Sequence, residues 1–207
     1  MRLYRFEHST NVERVALALA HKGLEVESVW IDPADRSAVR EVSGQELVPV
    51  LVDDEGNVRT ESMDIVRWLD ERYPDPPLYP RGDPARDAEL GVFVEWFNRV
   101  WKWPPNAITA ELEKASPDGV LVEQLGAHMQ RWLDVFATLL DGRDYLFGND
   151  FSAADVAAFP FLKYAVFGLP EDDDELFHQV LVEHQKLGEA HARLAEWVKR
   201  VDERPRV

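Results

Sequence analysis

LVPVLVDDEGNVRTESMDIVRWL, Leu47 to Leu69, is the stretch whose reading decides the fold. Val48-Pro49 opens a short apolar run, Val50-Leu51-Val52, which reads as a strand. Asp53 to Asn57 is a polar turn containing Gly56, and a second short strand follows it. Two short strands joined by a glycine-containing turn predict a hairpin. Thr60-Glu61-Ser62 then starts an amphipathic helix with Ile65, Val66, Trp68 and Leu69 on its buried side. A helix that begins with a hydroxyl and free N–H groups is a ready anion site. A proline at the start of a strand brings no N–H to the ladder and belongs at an edge or bend. The unit is therefore expected to bind a small, extended, zwitterionic peptide. A cis Pro49 would leave the backbone of Val48 for strand-like pairing, and Glu61 and Ser62 would hold the charged ends of the ligand.

Working outward towards the N-terminus, Arg2 to Phe6 alternates as a strand, and His8-Ser9-Thr10-Asn11 is a turn and cap cluster. Val12, Val15, Ala16 and Leu19 recur at helical spacing, with a stop at Gly23. Leu24 to Ile31 reads as a second strand, Asp32-Pro33 ends it, and a short helix over 34–42 leads back to the hairpin. The order β-α-β-α-β-β-α implies a parallel pair with a right-handed crossover, extended by antiparallel strands.

Towards the C-terminus, prolines 74, 76, 77, 80 and 84 mark a linker. Beyond it the pattern is helical. Leu90, Phe93, Val94, Phe97, Val100 and Trp101 form one stripe over 85–102, and Trp103-Pro104-Pro105 breaks or kinks it. A long helix covers 120–140. Ser152 with Asp155, and Phe151 with Val156, make a capping box and staple for a helix running to about Phe167. A last helix or pair spans roughly 176–201, preceded by the acidic run Glu171 to Glu175.

Composition narrows the function classes. The 207 residues carry a net charge of −16, and no basic patch stands out to neutralise phosphates, so nucleic acid is not an expected partner. No cysteine is present, which excludes disulfides, thiolate zinc sites and a cysteine nucleophile. His8, His21, His128, His178, His184 and His191 show no paired metal-ligand spacing. The start MRLYRFEH lacks the apolar core of a signal peptide, and no run is long enough to span a bilayer; a soluble, cytoplasmic protein is expected. Arg14, on an otherwise apolar helix, reads as structural, paired with an acid across a domain interface.

Taken together, Val48-Pro49, Glu61-Ser62 with Ile65 and Leu69, the proline-rich linker and the Ser152–Asp155 box resemble the cytosolic glutathione transferases. The resemblance implies a thioredoxin-like α/β N-terminal domain (βαβαββα) over 1–78, a linker over 79–84 and an all-α helical-bundle domain over 85–207. It places Ser9, five residues before Arg14, where the serine-type classes carry the hydroxyl that stabilises the thiolate of bound glutathione; Thr10 stands beside it as an alternative. Leu47 occupies a position where a Gln or Lys often helps hold glutathione.

The resemblance further implies that Val48, Pro49, Glu61 and Ser62 bind glutathione, and that Trp101 or Trp103 lines a pocket for a small apolar electrophile. Glutathione would be a co-substrate, with no cofactor and no metal, in a cytoplasmic homodimer serving detoxification. The implied reaction is attack of the glutathione thiolate on the electrophile. A glutathione-dependent isomerase or peroxidase, and a non-catalytic binding or regulatory protein on the same fold, are the alternatives.

Overall fold

A computed structural model describes all residues from Met1 to Val207. The chain divides into two compact units, Met1–Gly82 together with Arg204–Val207, and Asp83–Glu203.

The first unit contains β1 (Arg2–Arg5), α1 (Thr10–His21), β2 (Glu27–Trp30), α2 (Ser37–Ser43), β3 (Val50–Val52), β4 (Val58–Arg59) and α3 (Ser62–Arg72). The sheet order is β2-β1-β3-β4. β1 and β2 run parallel, with Leu3 opposite Ser28, while β3 lies antiparallel to both β1 and β4. This is a thioredoxin-like α/β domain. A parallel neighbour demands a crossover, and α1 supplies it. Leu3, Val50 and Leu51 from the sheet, Val15, Ala16 and Leu19 from α1, and Ile65, Val66 and Leu69 from α3 are all essentially inaccessible to solvent.

Two local readings are sharpened by the structure. β2 is shorter than the expected strand over 24–31, and its four residues pair with the four of β1. α2 starts at Ser37 rather than Ala34, since the Asp32 carboxylate accepts from Ala34 N–H at 2.9 Å and holds a turn there.

The second unit is all helical: α4 (Pro84–Trp96), a π-helical turn (Phe97–Trp101), α5 (Trp103–Leu112), α6 (Gly119–Leu139), α7 (Ala153–Leu162), α8 (Tyr164–Phe167), α9 (Leu176–Glu183), a 3₁₀ turn (Glu189–His191) and α10 (Ala192–Asp202). Pro104 and Pro105 fall in the first turn of α5, where a missing N–H costs nothing, so the break in the stripe is also the start of a new helix. Phe97 stacks on Trp101 with centroids 4.4 Å apart, and both touch Phe136 and Phe161 to form the aromatic centre of the unit. The capping box forms as the sequence predicts: Ser152 accepts from Ala154 N–H, and the Asp155 carboxylate accepts from Ser152 N–H at 2.9 Å. No helix is long and apolar enough to cross a membrane.

Candidate active site

Two serines open two helices of the first domain, and the residue before each has a positive φ. Ser9 is the N-cap of α1, and Ser62 is the first residue of α3. The chain's two non-glycine residues with positive φ, His8 at 59° and Glu61 at 60°, immediately precede them. Such conformations cost about 1–3 kcal/mol each and collect where a fold is constrained for function. Each serine oxygen accepts from the protein: Ser9 Oγ from Val12 N–H at 3.4 Å, and Ser62 Oγ from Arg14 Nη1 at 3.2 Å. A hydroxyl has a single proton to donate, and neither serine donates it within the protein. Two O–H donors therefore remain for a ligand.

The N-terminus of α3 adds backbone donors. The Glu61 side chain is exposed and makes no capping bond, so the first N–H groups of this eleven-residue helix have neither an intrahelical partner nor a side-chain cap. An anion placed there gains hydrogen bonds and the helix dipole together.

Arg14 lies beneath this end of α3, 1 % exposed, and donates to Asn11 Oδ1 as well as to Ser62. Burial pushes its pKa down to about 9, with Tyr79 acting in the opposite sense, so the guanidinium stays charged at neutral pH. Within the first domain Arg14 thus has Asn11 and Ser62 as partners. The available signal was a charged residue among the apolar positions Val12, Val15 and Leu19.

Val48 completes the set. The Val48–Pro49 bond is cis, and Val48 sits two residues before β3, beyond the last residue that β1 pairs. Its backbone N–H and C=O make no hydrogen bond within the protein, whereas neighbouring Leu47 bonds through both groups to the Gln45 side chain. Val48 thus keeps one backbone donor and one acceptor, the groups that strand-like pairing with an extended peptide uses.

Of the remaining candidates, Thr10 is 5 % exposed and lies inside the first turn of α1. Trp101 has no accessible surface, being enclosed by Phe97, Phe136 and Phe161, whereas Trp103 is 59 % exposed.

Known proteins share this organisation. Residues 3–77 match the glutathione S-transferase N-terminal domain family, and residues 119–200 the glutathione S-transferase C-terminal domain family. A maleylacetoacetate isomerase of Pseudomonas aeruginosa is 31 % identical over 181 residues, covering 83 % of this chain and 85 % of that protein. Among solved structures, a glutathione S-transferase of Methylobacterium radiotolerans in complex with glutathione sulfonate superposes with a TM-score of 0.70 at 27 % identity, covering 100 % of this chain and 95 % of that one. The beta-etherase LigF of Sphingobium superposes with a TM-score of 0.81 at 20 % identity, covering 99 % of this chain and 95 % of that one, a likeness of fold alone.

Proposed function

This chain belongs to the glutathione S-transferase family, and from that premise we propose that it is a serine-type glutathione transferase, with glutathione bound in the first domain and its thiolate activated by Ser9. The observation that carries the reading is the pair of uncommitted hydroxyl protons on Ser9 and Ser62, each behind a strained residue. Ser62 and the N–H groups of α3 receive the γ-glutamyl carboxylate, Glu61 its ammonium, and Val48 the cysteinyl backbone. An extended tripeptide spans about 10 Å. Residues 9 to 14 of α1 advance about 7.5 Å along the helix axis. In this reading a ligand anchored at Ser62, which Arg14 touches, places its sulfur at Ser9.

The chemistry follows from charge. Thiolate, not thiol, is the nucleophile. The Ser9 O–H donates to the sulfur, and the N-terminus of α1 adds positive potential, so both favour the ionised form. The proton leaves to solvent, and the thiolate attacks an electrophile with displacement of a leaving group or addition to a double bond. Positioning supplies the rest of the rate. Of the two candidate tryptophans of the second unit, Trp101 has no accessible surface and Trp103 is exposed. A cytosolic homodimer is the expected working form.

A second reading is favoured by the likeness to the maleylacetoacetate isomerase. Here the thiolate adds to a conjugated double bond, the adduct rotates about the resulting single bond, and the thiolate is expelled, leaving glutathione unchanged. Both readings use the same site.

The test is ultraviolet thiolate absorbance against pH for glutathione with the wild type and with Ser9→Ala. The expected result is a bound thiol ionising at least about one pH unit below the free thiol, a shift equivalent to about 1.4 kcal/mol, and lost in the variant. A wild-type protein that leaves the thiol unperturbed would overturn the reading. Net conversion of a maleyl to a fumaryl substrate without consumption of glutathione separates isomerase from transferase.

A further inference from the structure

A serine hydroxyl rotates freely, and in water its proton points wherever an acceptor happens to be. Ser62 does not have that freedom. It is 7 % exposed, and its oxygen is occupied from within by Arg14 Nη1 at 3.2 Å. Arg14 is itself held, because the same Nη1 also meets Asn11 Oδ1 at 3.3 Å, one turn earlier on α1. A guanidinium only donates. With a donor filling one lone-pair direction, the Ser62 proton cannot point towards Arg14 and is turned to the opposite side. Ser62 makes no other side-chain hydrogen bond in the protein, and the first N–H groups of the helix it begins have no side-chain cap.

We propose that Arg14 is a positioning residue that acts through Ser62: it orients the hydroxyl proton towards the γ-glutamyl carboxylate and makes Ser62 a pre-set donor rather than a rotor. The inference rests on the reading of the first domain as a glutathione site. Its energetic logic is preorganisation, since a donor already aimed loses no rotamer freedom when the ligand arrives. The buried positive charge behind the hydroxyl also strengthens it as a donor to an anion, because the interior screens the cation less than water does. Replacing Arg14 by a neutral side chain would leave Ser62 chemically intact but undirected.

The experiment is a titration of the full chain with glutathione and, separately, with the dipeptide cysteinylglycine, which lacks the γ-glutamyl carboxylate. Four proteins are compared: wild type, Arg14→Met, Ser62→Ala and the double variant. The expected result is a loss of about tenfold in glutathione affinity for each single variant, the scale of one charge-assisted hydrogen bond. The double variant should be no weaker than Ser62→Ala, because Arg14 acts only through the hydroxyl. Cysteinylglycine should bind all four proteins alike. A role for Arg14 in packing alone would weaken both ligands and would multiply with the serine effect.

If Arg14→Met does not fold, Arg14→Lys and Arg14→Gln take its place: Lys, still a buried cation, should keep most of the affinity and Gln should lose it. Wild-type glutathione affinity in Arg14→Gln or Arg14→Met, or a double variant weakened by the product of the two single effects, would overturn the inference while leaving the glutathione site standing. A wild type that binds neither ligand would overturn both.

Discussion

Lys22 Nζ and Asp70 Oδ1 meet at 2.5 Å in the interior of the first domain, with 0 % and 4 % of their side chains accessible. The pair joins the end of α1 to the end of α3, and the proline-rich stretch is fastened to it. Lys22 also donates to the Pro76 carbonyl, Leu78 N–H donates to Asp70 Oδ1 at 2.7 Å, and Arg81 donates to the Asp70 carboxylate and carbonyl. Removing one partner of a buried pair strands the other charge, at a cost of about 3–5 kcal/mol. Asp70→Ala is expected to lose stability on that scale in urea unfolding. The double variant Lys22→Met, Asp70→Leu should not recover it, because Leu78 N–H has no acceptor in either variant and the Pro76 carbonyl also loses its donor in the double variant. Full recovery would show that the pair matters only through its charges.

Ser9 holds two roles that substitution can separate. As the N-cap of α1 it accepts from Val12 N–H; Ala in this position costs about 0.5–2 kcal/mol of stability and Gly only a few tenths. Ser9→Gly should therefore retain a thermal midpoint near the wild type, and Ser9→Ala should not. Both should lose turnover with a model electrophile by roughly 10- to 100-fold, the scale of one hydrogen bond to a charged group. Activity that follows stability across the two variants would assign Ser9 to capping alone.

Asp155 is surrounded by donors. Its carboxylate accepts from Leu146 N–H at 2.9 Å, Trp197 Nε1 at 2.8 Å, and both the N–H and the hydroxyl of Ser152. Asn is nearly isosteric but turns an NH₂ group towards two of these donors. Asp155→Asn is thus expected to destabilise the second domain by roughly 2–4 kcal/mol, through buried donors left unpaired. A variant as stable as the wild type in calorimetry would contradict this account.

Gly126 faces the ring of His184 across α6 and the end of α9. A Cβ at this position would lie 2.7 Å from Cε1 and closer still to Nδ1. Ala gains up to about 1 kcal/mol of helix propensity over Gly. The overlap costs about 1–3 kcal/mol. Gly126→Ala should accordingly be destabilising, and adding His184→Ala should restore most of the loss. A Gly126→Ala protein that melts above the wild type would mean the imidazole moves aside freely.

His21 and His184 both have pKa values lowered from 6.5, in each case chiefly by burial. A lowered histidine pKa means that the unfolded chain binds more protons than the folded one. Stability contributed by the neutral ring is therefore present above about pH 6.5 and is lost as pH falls through the folded pKa. The thermal midpoint should drop on acidification from pH 7 to pH 5, and His21→Gln should reduce that drop. A pH-independent midpoint over this range would exclude both residues as acid-sensitive groups.

Much of the fold was determined by the sequence itself, because the signals are local. The N-cap Ser9, the stop at Gly23 with φ 64°, the hairpin turn at Gly56 with φ 85° and the Ser152–Asp155 box each depend on backbone sterics and hydrogen bonds within a few residues. The alternation of strands and helices around residues 47–69 then leaves few topologies. Helix α5 was missed: its first turn reads as a break because proline is disruptive inside a helix but harmless at its start. The candidate site residues were likewise nameable one by one as candidates, while their hydrogen-bond partners were not. Whether the proton of Ser62 is free, and in which direction it points, is set by a guanidinium 48 residues away in sequence. Whether Trp101 or Trp103 meets solvent is set by which face of its helix the aromatic cluster of Phe97, Phe136 and Phe161 encloses. Periodicity identifies a buried stripe, but only the packed tertiary structure brings distant side chains within hydrogen-bonding distance, and that proximity decides which polar groups remain for a ligand.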